Sequence, residues 1–165
     1  MNNHLHFAAS LHRLYNLTLR DFGRANGLSQ TEMDVLLFLH NNPDCNTARD
    51  MVHLRGLAKS NVSTALDSLR TRGLVESRPE ENNRRVNRLF LLPAAAPLIE
   101  GLSQRQAQFF HALQQGLTPV QQAQADAYFA ILQRNRRAGP PGRKRPRHRQ
   151  GRNLKTERTF EFHAV

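Results

Sequence analysis

With 165 residues, 39% of them hydrophobic, and a single Cys, the chain suits one domain with an ordinary core and some sequence left over, and a second independent domain is not expected. No apolar run nears bilayer-spanning length, MNNHLHFAASLHRLY lacks the regions of a secretory signal, and one Cys cannot form an internal disulfide, so a cytoplasmic protein with no membrane partner is expected. The 24 Lys and Arg against 13 Asp and Glu leave a net charge of +11, which points to an anionic partner.

In chain order, His4 to Asn26 is expected to form a first helix. Leu5, Ala8, Leu11, Leu14 and Phe22 make an imperfect helical stripe, and Gly27 stops it. Phe7, Leu17 and Leu19 widen that stripe beyond one face, so the helix should meet a second surface, such as another subunit. Ser29-x-x-Glu32 is a capping box that starts a second helix through Met33, Leu36, Leu37 and His40, ended by the turn Asn41–Asp44. Thr47 with Asp50 three residues on marks a short third helix through Met51, Val52 and Leu54, and Arg55 and Gly56 turn the chain onward.

The stretch Leu57 to Leu92 carries three signals in succession. Val62, Leu66 and Leu69 recur at helical spacing, leaving Asn61, Ser63, Thr64, Ser68 and Thr71 off the buried stripe. Gly73 stops this helix, Leu74, Val75 and Ser77 open an extended segment, Pro79 to Asn83 reads as a polar turn, and Arg84 to Leu92 returns as a second extended run. A helix with small polar residues outside, followed by a basic hairpin, predicts a winged helix-turn-helix with its core at about 28–92.

Pro93 then suits the first turn of a helix carried by Leu98, Ile99, Leu102, Phe109, Phe110 and Leu113 to Gly116. Thr118-Pro119-x-Gln121 combines a cap, an N1 proline and a capping box, and starts a last helix that runs to about Arg137. Residues 138–165 are rich in Pro, Gly and Arg, lack apolar periodicity, and hold 8 basic and 2 acidic side chains, so about half of the positive excess lies there. This basic tail is expected to be disordered. The terminal TFEFHAV alternates like a strand, but one strand is not stable alone.

Catalysis finds no support: there is no phosphate-cradling Gly-rich loop, no nucleophile elbow and no diagnostic metal-ligand spacing. No enzyme activity and no cofactor are expected. DNA binding has a mechanism for each part of the stretch. Asn61 could pair bidentately with adenine in the major groove. Ser60, Ser63, Thr64 and Ser68 suit phosphates or adaptable base contacts, and Lys59 suits a phosphate. Arg84 or Arg85 could enter the negative minor groove, with Arg88 supporting the flank. A plain solvated helix would favour Glu, Lys and Ala at these outward positions.

The succession LSQTEMDVLLFLH, TARDMV, LAKSNVSTALDSLRTRGLVESR and NNRR, with a final helical pair, resembles the MarR family of bacterial winged-helix transcription regulators. The resemblance spans roughly Leu5 to Asn135 and implies a mainly α fold with a small β-hairpin wing, the winged core flanked by N- and C-terminal dimerisation helices within residues 1–137. It implies a homodimer reading a near-palindromic double-stranded DNA operator, usually as a repressor, and release by a small-molecule or stress signal. The apolar excess of the terminal helices supports the dimer independently. This chain departs from the family in having Asn83-Arg84-Arg85 where Asp-Arg-Arg is common, which implies a looser wing, and Leu92-Pro93-Ala94 where a Thr cap is usual.

The alternative from another class is a winged-helix protein-interaction module whose non-specific nucleic-acid affinity resides in the basic tail. Cys45, beside Asp44, lacks a resolving partner and reads as an incidental loop thiol. His4, His6, His12, His40, His53 and His111 have no metal-binding spacing, so no metal is expected. An effector pocket is expected between the terminal helices and the winged core, with its lining not legible.

Overall fold

The computed structural model describes residues 3–80 and 83–138. The wing residues Glu81 and Asn82, and the basic tail from Gly139 onward, lie outside the described residues. The architecture is mainly α with one antiparallel hairpin, as expected. Its elements are α1 (Asn3–Ala25), α2 (Gln30–Asn41), α3 (Ala48–Asp50) running into a π-helical turn (Met51–Arg55), α4 (Lys59–Thr71), β1 (Val75–Glu80), β2 (Asn83–Leu91), α5 (Ala96–Gln114) and α6 (Pro119–Ala138). The chain divides into two compact units, Met1–His111 and Ala112–Val165.

In the first unit the core is built around α2. All residues from Glu32 to Leu39 are buried, because α2 packs against α1, α4 and β2 at once. A helix apolar on every side is stable only in such a central position. The capping box starts it as expected, with Glu32 N–H donating to Ser29 Oγ at 3.3 Å and Ser29 N–H to Glu32 Oε2 at 2.7 Å. Thr47 caps α3 in the same way through Asp50.

The first helix differs from the expected stripe. Its buried line is Tyr15 and Leu19, with Leu11 and Phe22 packed beside it, whereas Leu14, Leu17 and Phe7 stand exposed. Spacing of four along residues 11, 15 and 19 puts Tyr15 on the core side, a position an apolar-only stripe passes over. Its ring meets Phe109 of α5 edge-on at 5.3 Å, and its hydroxyl accepts from Gln106 at 3.0 Å.

The hairpin pairs Val75 with Leu91, Ser77 with Leu89 and Arg78 with Arg88, and its register is broken between Pro79 and Glu80. Pro79 and Glu80 belong to β1 and not to the turn. The ladder continues past the proline because Pro79 needs only to accept. Gly73, with φ +66°, sits past the end of α4 where a left-handed residue is required. Pro93 opens a 3₁₀ turn (Pro93–Ala95) that leads into α5.

In the second unit α6 begins as its sequence dictates, with Thr118 N–H donating to Gln121 Oε1 at 2.8 Å. Val120, Tyr128, Phe129, Ile131 and Leu132 of this helix are exposed.

Helices α1 and α5 touch where Gly101 leaves room for the Phe22 ring. A Cβ at Gly101 would lie 2.5 Å from Phe22 Cε2, and the Arg105 guanidinium lies over the same ring, 4.4 Å from its centroid. Gly101→Ala should therefore overpack this contact and destabilise the fold by about 1–3 kcal/mol. Urea unfolding followed by circular dichroism measures this, and an unchanged midpoint would show that the ring moves aside freely.

Candidate nucleic-acid interface

Helix α4 has two faces. Val62, Ala65, Leu66 and Leu69 are buried, while Lys59, Ser60, Asn61, Ser63 and Thr64 are exposed on the outside. Its N-cap is Ala58, which offers no side-chain acceptor, so the first-turn amides remain open at the positive end of the helix, beside Lys59. Five of the expected contact residues are thus brought together on one outward ledge.

Ser68 stands apart from that ledge. It is half-buried, and its hydroxyl donates to Glu32 Oε1 at 2.6 Å. Glu32 therefore serves two helices, capping α2 with one oxygen and holding α4 with the other. Arg72, at the end of α4, reaches the same carboxylate at 3.9 Å and donates to the carbonyls of Gly27 and Asn26, each at 3.0 Å. Burial pushes the Glu32 carboxyl up, but hydrogen bonds from Ser68 and Ser29 and the charge of Arg72 outweigh it and hold the group below its ordinary value. The sequence marks Glu32 only as a cap, since its partner is 36 residues away.

A second polar joint lies ahead of α4. Asp34, buried on α2, accepts from Arg55 Nη2 at 3.0 Å, and Arg55 immediately precedes the Gly56 bend into α4. The Tyr15 hydroxyl belongs to the same cluster: burial raises its pKa, with Arg55 opposing. Helix α1 and the approach to α4 are therefore joined through charged groups that local sequence reading leaves as turn residues.

On the wing, Arg84 and Arg85 are exposed, and Arg85 N–H donates to Asn83 Oδ1 at 3.3 Å. Arg88, by contrast, is turned inward. It donates to Asn46 Oδ1 at 2.9 Å and to Glu80 Oε1 at 2.7 Å. Asn46 is buried and also bonds Leu89, its Nδ2 donating to Leu89 O at 3.1 Å and its own carbonyl accepting from Leu89 N–H at 2.8 Å. Asn46 gives no signal in the sequence beyond lying in a loop.

A cavity of about 530 Å³ opens between the α3 turn, α4 and the hairpin. Val52, Val62, Leu66 and Leu89 form its apolar part, Arg49, His53, Lys59 and Arg70 its basic part, and among the described residues no carboxylate lines it. Cys45 is half-buried and packs against the core. Among the described residues no group of three or more His, Cys, Asp or Glu side chains could hold a metal ion.

An outward polar helix ledge beside a hairpin with two exposed arginines is the arrangement of winged-helix proteins, and residues 26–86 match the MarR family. That match runs from just before α2 into β2. The structure of the chain is similar to a MarR-family transcriptional regulator from Silicibacter pomeroyi, at 23% identity and TM-score 0.71, covering 84% of this chain and 91% of that one. It is also similar to the transcriptional regulator PA3341, at 25% identity and TM-score 0.69, covering 80% and 96%. BpsR of Bordetella bronchiseptica, whose DNA binding is regulated by 6-hydroxynicotinic acid, matches at 18% identity and TM-score 0.59, covering 79% and 96%. No curated protein matches the chain by sequence.

The Glu32 joint has a testable pH signature. Its folded pKa lies below the unfolded value of about 4.3, so its stabilisation is complete at neutral pH and is lost as pH falls through the folded value. Glu32→Gln should lower stability by about 1–2 kcal/mol at pH 7, with the gap from the natural protein closing as pH is lowered from about 5 toward 3. Urea titrations across that range measure it; a gap independent of pH would show that the charge is not what holds α4.

Proposed function

We propose that this chain is a transcription repressor of the MarR family, dimeric and sequence-specific, whose hold on its operator is loosened by a small anionic effector. The observation that carries the DNA-binding part is the single ledge formed by Lys59, Ser60, Asn61, Ser63 and Thr64, flanked by exposed Arg84 and Arg85. Short polar side chains let a helix backbone approach base edges, and Asn61 has the donor and acceptor needed for adenine. Arg84 and Arg85 supply the cation for the minor groove. Ser68 and Arg88, being bonded within the protein, act on this reading as supports of the interface.

The dimer is supported by apolar side chains left uncovered on α1 (Phe7, Leu14, Leu17) and separately on α6 (Val120, Tyr128, Phe129, Ile131, Leu132). Uncovered apolar patches of this kind mark interaction surfaces, and a two-fold dimer would bring two α4 ledges to a near-palindromic operator. The effector reading draws on the cavity beside α4, since Lys59 and Ser63 belong both to its lining and to the DNA-facing ledge. An aromatic carboxylate there would fill the apolar part, neutralise the basic part and compete with phosphate at the same residues.

The natural chain should protect two half-sites about one helical turn apart in a footprint. Asn61→Ala should relax base preference at one position per half-site, whereas replacing both Arg84 and Arg85 with Gln should weaken all sequences alike and reduce the salt slope by about 1 to 2. A chain ending at residue 137 should retain specific binding. Loss of all binding on truncation would favour the interaction module with a basic tail.

For the effector, Val52→Phe should abolish release from DNA by any aromatic carboxylate that releases the natural protein, while operator affinity changes less than about threefold. Anisotropy competition measures both, and undiminished release would place the effector elsewhere.

A further inference from the structure

The hairpin that bears Arg84 and Arg85 is weakly tied at its outer end. Backbone pairing is regular from Val75–Leu91 to Pro79–Asn87, then slips to Glu80–Asn83. Pro79 has no N–H to contribute, and Arg84, Arg85 and Val86 have no partner residue in the register. Among the described residues, ladder bonds alone leave the direction of this segment loosely defined.

A side chain closes the gap. The Arg88 guanidinium lies between Glu80 Oε1 at 2.7 Å and Asn46 Oδ1 at 2.9 Å, so it joins both strands of the wing to the loop before α3. The Glu80–Arg88 link spans the whole segment that contains Arg84 and Arg85. Asn46 is buried, and all its side-chain polar atoms are committed to β2: Oδ1 to Arg88 and Nδ2 to Leu89 O at 3.1 Å. The Asn46 carbonyl also takes Leu89 N–H at 2.8 Å, so residue 46 holds both backbone groups of Leu89 on β2. Arg88 faces Arg78 directly across the hairpin, a repulsive juxtaposition. It is relieved because each has its own carboxylate, Glu76 for Arg78 and Glu80 for Arg88.

We propose that Arg88, clamped between Asn46 and Glu80, is a positioning residue for DNA binding: it aims the wing so that Arg84 and Arg85 reach the operator, and does not itself touch DNA. The clamp supplies from the wing stem the orientation that a carboxylate at position 83 would have given. This rests on the DNA-binding reading above and concerns which arginines act through contact and which through geometry.

The test uses the full chain and a fluorescein-labelled duplex enriched by the natural protein from a random-sequence library, with anisotropy measured over a range of salt. Arg88→Met should weaken binding about tenfold and leave the slope of log affinity against log salt unchanged, because no phosphate contact is lost. In that background, replacing Arg84 and Arg85 with Gln should have a much smaller effect than in the natural chain, a coupling that mere loss of stability would not produce. Glu80→Gln keeps the Arg88 charge and separates the roles even if Arg88→Met fails to fold. The clamp predicts weaker binding, whereas an arginine that contacts DNA would be released from a competing carboxylate and bind more tightly. A slope reduced by about one in Arg88→Met, or tighter binding by Glu80→Gln, would overturn the proposal while leaving the regulator reading intact. Failure of the natural chain to enrich any duplex would overturn the regulator reading itself, and the clamp's role in DNA binding with it.

Discussion

The carboxylate of Glu32 is the joint on which the winged core depends. One oxygen completes the first turn of α2 through Ser29, and the other receives the Ser68 hydroxyl of α4. Helix α2 is buried on all sides and can move little, so a helix bonded to its capping residue inherits that fixed position. Arg72 adds a second hold at the far end of α4 by binding the carbonyls that end α1. Helix α4 is thus located by charge-assisted bonds at its edge and by Val62, Ala65, Leu66 and Leu69 beneath it. Apolar packing sets its depth, and directional bonds set its rotation.

The same division of labour recurs in the wing. Val75 and Leu89 bury the stem of the hairpin, but apolar burial alone cannot specify the angle of a two-stranded ribbon. Asn46 and Arg88 provide that angle through hydrogen bonds with defined directions. In both places a residue of an apparently DNA-binding type, Ser68 or Arg88, faces inward, and its exposed neighbours remain available for an external partner. Residue type alone does not distinguish a contact from its support; burial and bonding partners do.

The Asp34–Arg55–Tyr15 cluster connects this machinery to α1. Arg55 lies at the bend just before α4, and its carboxylate partner is buried on α2. Losing Arg55, which is itself partly exposed, would leave the covered Asp34 carboxylate without its partner, so this pair helps to hold the approach to α4. The cavity beside α4 is lined in part by Lys59 and Ser63, which also belong to the exposed face of that helix.

Much of this architecture was legible locally. The two capping boxes, the Thr118-Pro119 helix start, the stop at Gly73 and the amphipathic pattern of α4 depend on residues within a few positions of one another, and each appears where the sequence demands it. Resemblance to a known family added the expectation of a near-palindromic operator and of release by a small-molecule or stress signal. The sequence did not reveal that Tyr15 rather than Leu14 faces the core, that Pro79 lies in a strand, or that Glu32, Asn46, Asp34 and Arg55 tie the elements together. Those features depend on groups 21 to 43 residues apart meeting at hydrogen-bond distance. Short-range spacing determines where helices begin and which face is apolar; only the packed tertiary arrangement decides which polar groups turn inward, because a buried donor or acceptor must find a partner wherever in the chain that partner lies.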